Sequence, residues 1–212
     1  MKVRTKTLRL TSFFLLFSLM TAHRSFASPV LVLSAQGGAI FSHTSIPNLS
    51  PATQPGSKFD FSITLESHDV YNVDATRRPA FFGRFQIEFF KLGNSNPQLD
   101  GNLFRAWQGI GPTLFFGVRT PAFRFPLLDA LASAYIETGG GIRTTKYTGT
   151  GLVSANPTIS AQIGLDFAIT ERIYLGFAFP FEYAWKAGGF AFIFGMSAVA
   201  RFQWKYVKKA LQ

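Results

Sequence analysis

The sequence predicts an all-β chain: eight antiparallel strands closed up-and-down into a transmembrane β-barrel. Three observations carry that expectation. The last third alternates apolar and small or polar residues through three consecutive runs joined by short turns, the pattern of antiparallel hairpins. One face of these runs is strongly aromatic, with Phe177, Phe179, Phe181, Tyr183 and Trp185 in the second and Phe190, Phe192, Phe194, Phe202, Trp204 and Tyr206 in the third. The opposite face is small and mixed: Gly176, Ala178, Pro180, Glu182 and Ala184, then Gly195, Ser197, Val199 and Arg201. A soluble sandwich would carry a dense polar face outward. Small and mixed residues suit the crowded inside of a narrow barrel, and the aromatic face then points to lipid.

Residues 1–27 have the makeup of a secretory signal peptide, leaving 28–212 as the barrel domain. Lys2, Arg4, Lys6 and Arg9 are basic, residues 13–20 are apolar, and Ser25-Phe26-Ala27 places small residues before a cleavage point. That apolar stretch is short of the about 20 residues a spanning helix needs. Five of the 21 Lys and Arg and none of the 11 Asp and Glu lie in this segment, so the remaining chain carries 16 bases against 11 acids, a net +5. Much of the basic character is thus a targeting feature, and no basic stripe with interleaved stacking aromatics supports nucleic-acid binding. There is no Cys, which removes disulfide and thiolate chemistry and is compatible with export into an oxidising compartment.

In chain order, the first strand is expected over 30–42, with Leu31, Leu33, Ala35, Ala39 and Phe41 against Ser34, Gln36 and Gly38. A Pro/Ser/Thr/Asn-rich loop over 43–57 follows. The second strand, 58–68, sets Phe59, Phe61, Ile63 and Leu65 against Asp60, Ser62, Thr64 and Glu66. The third, 80–92, sets Phe81, Phe85, Ile87 and Phe89 against Arg84, Gln86 and Glu88. The fourth is weaker, with Phe104, Ala106, Ile110, Leu114, Phe116 and Val118 opposite Arg105, Trp107, Gly109, Gly111, Thr113 and Arg119. Its Pro112 suggests a bulge or break. Residues 121–129 read as a turn, and a short helix over 127–134 competes with the fifth strand over 130–146. A Gly/Thr/Ser/Asn loop over 147–157 leads to the last three strands.

Eight is an even number, as single-chain bacterial barrels require, and it places both termini at one end. With the amino terminus delivered from the periplasm, the loops after the first, third, fifth and seventh strands face outward. The chain resembles the small eight-stranded outer-membrane barrels of the OmpA/OmpX-like architecture over about residues 30–206, in pattern rather than by motif. Such proteins often end on a strand of alternating aromatics read by the insertion machinery, which Phe202-x-Trp204-x-Tyr206 resembles, although the chain continues to Gln212. The resemblance implies a bacterial (Gram-negative) outer-membrane location, with outer-membrane lipid and the barrel-insertion machinery as partners.

The expected lumen network is Glu66, Arg84, Glu88, Arg105, Glu137, Arg143, Asp166, Glu182 and Arg201, charges of both signs that must pair to tolerate burial. The expected aromatic girdle is Tyr183 and Trp185 at one level and Trp204 and Tyr206 at the other. The 28–212 region offers only His43 and His68 as imidazole bases, on opposite rims, and sequence neighbours in a strand cannot form a catalytic triad. Two remote His without Cys make no metal site, and Gly139-Gly140-Gly141 lacks the Lys and helix of a phosphate loop. No cofactor is expected. The expected role is non-enzymatic: structural, surface-contact or limited-permeability (porin-like). The rival readings are an outer-membrane lipid-modifying enzyme and a soluble ligand-binding barrel.

Overall fold

The computed structural model describes residues 29–45, 52–71, 78–93, 107–147, 151–186 and 189–204. Nine strands account for nearly all of them: β1 (Val30–Ser45), β2 (Ala52–Glu66), β3 (Ala80–Leu92), β4 (Trp107–Arg119), β5 (Phe123–Phe125), β6 (Ala130–Tyr147), β7 (Val153–Ala168), β8 (Ile173–Lys186) and β9 (Gly189–Trp204). All pairings are antiparallel. The order runs β4-β3-β2-β1-β9-β8-β7-β6-β5, and a further β4–β6 pairing closes the ring. Eight strands form the barrel; β5 is a short spur pairing only with the first residues of β6.

The register fixes the shape. Leu33 pairs with Ile63, and the path continues through Phe85, Leu114, Gly140, Ile159, Tyr183 and Phe192 to return to β1 at His43. The ring therefore closes ten residues from where it began. With a rise of about 3.3 Å per residue and a strand spacing of about 4.8 Å, that shear over eight strands gives a tilt of about 40°. The lumen of such a barrel is just wide enough to be filled by side chains.

Alternation holds along the barrel strands except beside β5, which covers the outward Ala132 and Phe167. In β2, Phe59, Phe61, Ile63 and Leu65 are exposed while Lys58, Asp60, Ser62, Thr64 and Glu66 are buried. The exposed side is the outside of the barrel and is apolar around the whole circumference: Phe61 is 54% exposed, Phe81 57% and Met196 58%. From Ile173 to Trp185, the outward row of β8 spans twelve residue steps, about 30 Å along the axis at this tilt. That height matches a bilayer hydrocarbon core.

Several elements differ from the sequence expectation. The loop expected over 43–57 is largely strand, because β1 runs to Ser45 and β2 begins at Ala52, with Phe41 opposite Pro55 and Thr44 opposite Ala52. Pro and Ser lower local strand propensity, but a closed ring supplies partners on both sides of β1. The loop over 147–157 is likewise shortened by β7, which begins at Val153. Pro112 makes no bulge. Ile110–Thr144 and Thr113–Gly141 share one register, and only the two pairs between them are missing from the β4–β6 ladder, as expected for a residue without an N–H. The helix over 127–134 does not form; residues 126–129 are a tight turn between β5 and β6, with Asp129 at φ 48° and Arg124 paired to Asp129 at 2.5 Å. The second strand stops at Glu66, where Ser67 accepts from the Phe81 N–H at 3.1 Å. Phe104, Arg105, Ala106, Tyr206 and residues 1–27 lie outside the described residues.

Candidate functional site: a charged and sealed lumen

The inward positions hold an unusual load of buried charge, arranged in tiers along the axis. At the end holding the connections after β2, β4 and β7, the turn end, Arg119 contacts Glu66 at 3.1 Å and Asp166 at 2.6 Å, and Asp166 also takes Arg201 at 2.9 Å. This chain links β2, β4, β7 and β9, none of which are neighbours in the ring. In the middle, Arg84 of β3 pairs with Glu137 of β6. Toward the end carrying the loops, Lys58 meets Glu88 at 2.6 Å, and Arg143 bridges Glu88 and Glu182. Each ion pair except Lys58–Glu88 skips at least one strand, so these contacts are struts across the lumen rather than decorations of the wall.

Aromatic rings complete the struts. Arg143 lies 4.0 Å from the centroid of Phe90, Arg84 4.6 Å from Phe115, Arg201 4.6 Å and Arg119 5.1 Å from Tyr135. A guanidinium over a ring face is attracted by the ring quadrupole while its edge remains free to donate to carboxylates. Tyr135 also accepts from Gln162 at 3.1 Å, and Gln162 and Gln36 exchange two amide hydrogen bonds of 3.2 Å directly across the barrel. The Tyr135 ring fits because β7 has Gly164 opposite it: a Cβ there would sit 2.3 Å from the ring.

Both mouths are stopped. At the loop end Ile40, Phe90, Leu92, Ala184, Ala191 and Ile193 form one buried apolar cluster. At the turn end Tyr71, between β2 and β3, stacks on Tyr174 with ring centroids 4.3 Å apart and donates to the Asp166 carbonyl at 3.2 Å. Burial pushes the Tyr71 hydroxyl well above its ordinary range, so it stays neutral and a donor.

Of the charged residues singled out from the sequence, Glu66, Arg84, Glu88, Glu137, Arg143, Asp166, Glu182 and Arg201 stand in the lumen within these chains; Arg105 lies outside the described residues. Lys58 belongs to the network as well. Phe82, Phe90, Phe115 and Tyr135, which sequence reasoning missed, are buried inward. Their parity with Arg84, Arg119 and Glu137 was the available signal, masked by the assumption that large aromatics face lipid. Tyr183 and Trp185 are at the loop end and Trp204 at the turn end, on the outer face. Gly141 is a point of close approach: a Cβ would lie 2.2 Å from the Pro112 carbonyl oxygen.

His43 hydrogen-bonds Thr53 at 3.1 Å at the loop end, whereas His68 bonds Ser67 and the Arg78 carbonyl, each at 3.1 Å, at the turn end. The two imidazoles are a barrel length apart. Among the described residues no group of three or more His, Asp and Glu side chains is placed to hold a metal ion.

Closed antiparallel order, outward apolar face and filled lumen together define a small eight-stranded barrel of the outer-membrane kind. No protein-family model and no curated protein matches the sequence. Among solved structures, the chain is similar to Neisserial surface protein A at 11% identity, covering 81% of this chain and 96% of that one with a TM-score of 0.48. It is similar to the attachment invasion locus protein Ail of Yersinia pestis at 12% identity, covering 81% and 98%, TM-score 0.41. The outer membrane enzyme PagL matches at 13% identity, 81% and 98% coverage and a TM-score of 0.44.

Proposed function

We propose that this protein resides in a bacterial outer membrane as a non-enzymatic barrel whose lumen is a rigid, ion-paired plug, leaving a structural or surface-contact role to its exterior and loop end. The observation that carries the reading is the cross-lumen strutting. Arg119, Asp166 and Arg201 are each 3% exposed or less, and their partners come from strands across the ring. A conduction path needs charged groups open to water, whereas each of these carboxylates and guanidinium groups is buried against an opposite charge from another strand, even where single atoms such as Arg201 Nη1 and Glu182 Oε1 carry no hydrogen bond.

The exterior supports the membrane half of the reading. A monomer in water rarely exposes a contiguous apolar patch above a few hundred Å², and here every strand contributes to a continuous belt. Among the described residues the two imidazoles, His43 and His68, stand at opposite ends, so they cannot serve one substrate together.

The test is single-protein recording in a planar bilayer. The expected result is no sustained current at moderate voltage. A stable open conductance abolished by Glu182→Ala or Arg201→Ala would overturn the plug and replace it with a transport path.

A further inference from the structure

The outward face of the barrel is almost without charge, and its exceptions are adjacent. Over the described residues of the eight barrel strands, every Asp, Glu and Arg with a described side chain is turned into the lumen. Among the described side chains of those eight strands, the charged ones exposed on the outside are Lys91 of β3 and Lys146 of β6. They are not scattered. Lys91 pairs with Gln108 of β4, and Gln108 pairs with Lys146, so the three form one cross-strand row at the loop end, all exposed. At a strand spacing of about 4.8 Å the two lysines start about 10 Å apart, near enough for both side chains to close on one group above Gln108.

Two cations held side by side on one rim repel each other unless an anion joins them, and no described outward residue of the barrel strands supplies one. Immediately next to the row lies a groove of about 430 Å³ lined by Phe89, Gln108, Ile110, Thr144, Lys146 and Val153, with Phe90 and Gly109 also in its wall. The six named first are exposed on the outer surface, so the groove opens toward lipid. A cationic row with a neutral amide donor at its centre, set beside an apolar groove, is complementary to a molecule with an anionic head and hydrocarbon chains.

We propose that Lys91, Gln108 and Lys146 form a binding site for the phosphate of a lipid in the leaflet at the loop end, with an acyl chain in the adjoining groove. The inference rests on the membrane reading above. With the amino terminus delivered from the periplasm, that leaflet is the outer one, so the ligand class is a phosphorylated, acylated sugar rather than a glycerophospholipid of the inner leaflet. The lysines supply charge-assisted hydrogen bonds to phosphate oxygens, and Gln108 adds a neutral donor. The site would fix the barrel's rotational neighbours in the leaflet by holding one lipid against the β3–β4–β6 wall.

The probe is diphosphorylated lipid A in competition with fully dephosphorylated lipid A, presented to protein folded in neutral maltoside micelles and read as bound lipid by native mass spectrometry. Wild type is expected to retain the phosphorylated form with a preference of about tenfold or more, the size of one lost charge-assisted hydrogen bond. The preference should vanish in the double variant Lys91→Gln/Lys146→Gln, persist in Lys91→Arg/Lys146→Arg, and survive millimolar inorganic phosphate. Equal retention of both lipids by wild type, an undiminished preference in the Gln variant, or displacement by inorganic phosphate would each overturn the site. Vesicle insertion, scored by heat-modifiable gel migration, separates the two levels. Protein that inserts but shows no preference loses only this site, whereas protein that does not insert loses the membrane reading along with it.

Discussion

Arg143 shows what a single residue does in this lumen. It bridges Glu88 and Glu182 and lies against Phe90, so Arg143→Met strands the buried Glu182 and leaves Glu88 with Lys58 alone. Removing one partner of a buried pair typically costs about 3–5 kcal/mol, whereas replacing the whole set by apolar or neutral groups is often nearly neutral. Arg143→Met is therefore expected to lower stability by that amount, and Arg143→Met with Glu182→Gln, which leaves the Lys58–Glu88 pair in place, to recover much of it, measured by reversible denaturant unfolding in vesicles. Asp60 is the contrasting case. It is fully buried, yet neither carboxylate oxygen has a hydrogen-bond partner, so Asp60→Asn is expected to be neutral or stabilising in the same assay, while Asp166→Asn, which weakens contacts to Arg119 and Arg201, destabilises. The inward side of Glu66, Arg84, Glu88 and the other charges was legible in the sequence from period-two alternation. Who pairs with whom was not. Arg119 and Asp166 meet only because eight registers add to one shear, a global quantity that no local window contains.

At the scale of elements, β2, β3, β8 and β9 were legible because their alternation is clean and their ends carry turn residues. The segments that resisted were those whose composition argues against strand: 52–57 with Pro55, and 153–157 with Asn156 and Pro157. In each, partners on the neighbouring strands outweigh a weak local preference. Pro112 measures the limit of that tolerance. It leaves a gap in the β4–β6 ladder without shifting the register on either side, so Pro112→Val is expected to restore pairing in place. The gain should be about 0.5–1.5 kcal/mol, the net value of one hydrogen bond, seen as a higher unfolding midpoint with unchanged denaturant dependence. A loss of stability would mean that the proline's geometry, and not merely its missing N–H, is built into the wall. Three residues offer no period, so the composition of 121–129 shows only a turn there, and the β5 spur exists by pairing with Ala130, Leu131 and Ala132.

For the whole molecule, inside and outside are exchanged relative to a soluble protein. Charge fills the lumen and Phe covers the surface, an inversion stable only if the surrounding medium is hydrocarbon. The energetic consequence depends on depth. Phe179 stands midway along β8 on the outer face, 38% exposed, whereas Trp185 stands near the loop end of the same strand. Arg on a barrel's lipid face costs about 2–4 kcal/mol at the bilayer midplane and falls to about 0–1 near the interface. Leu at the same positions removes the aromatic ring without adding charge, and so isolates the depth term from lost packing. The direct measurement is reversible unfolding in lipid vesicles of Phe179→Arg, Phe179→Leu, Trp185→Arg and Trp185→Leu. An Arg-minus-Leu penalty of about 2–4 kcal/mol at Phe179 and about 0–1 at Trp185 is the expected result. Equal penalties at the two depths, or a protein that folds and stays soluble without lipid or detergent, would contradict the membrane barrel.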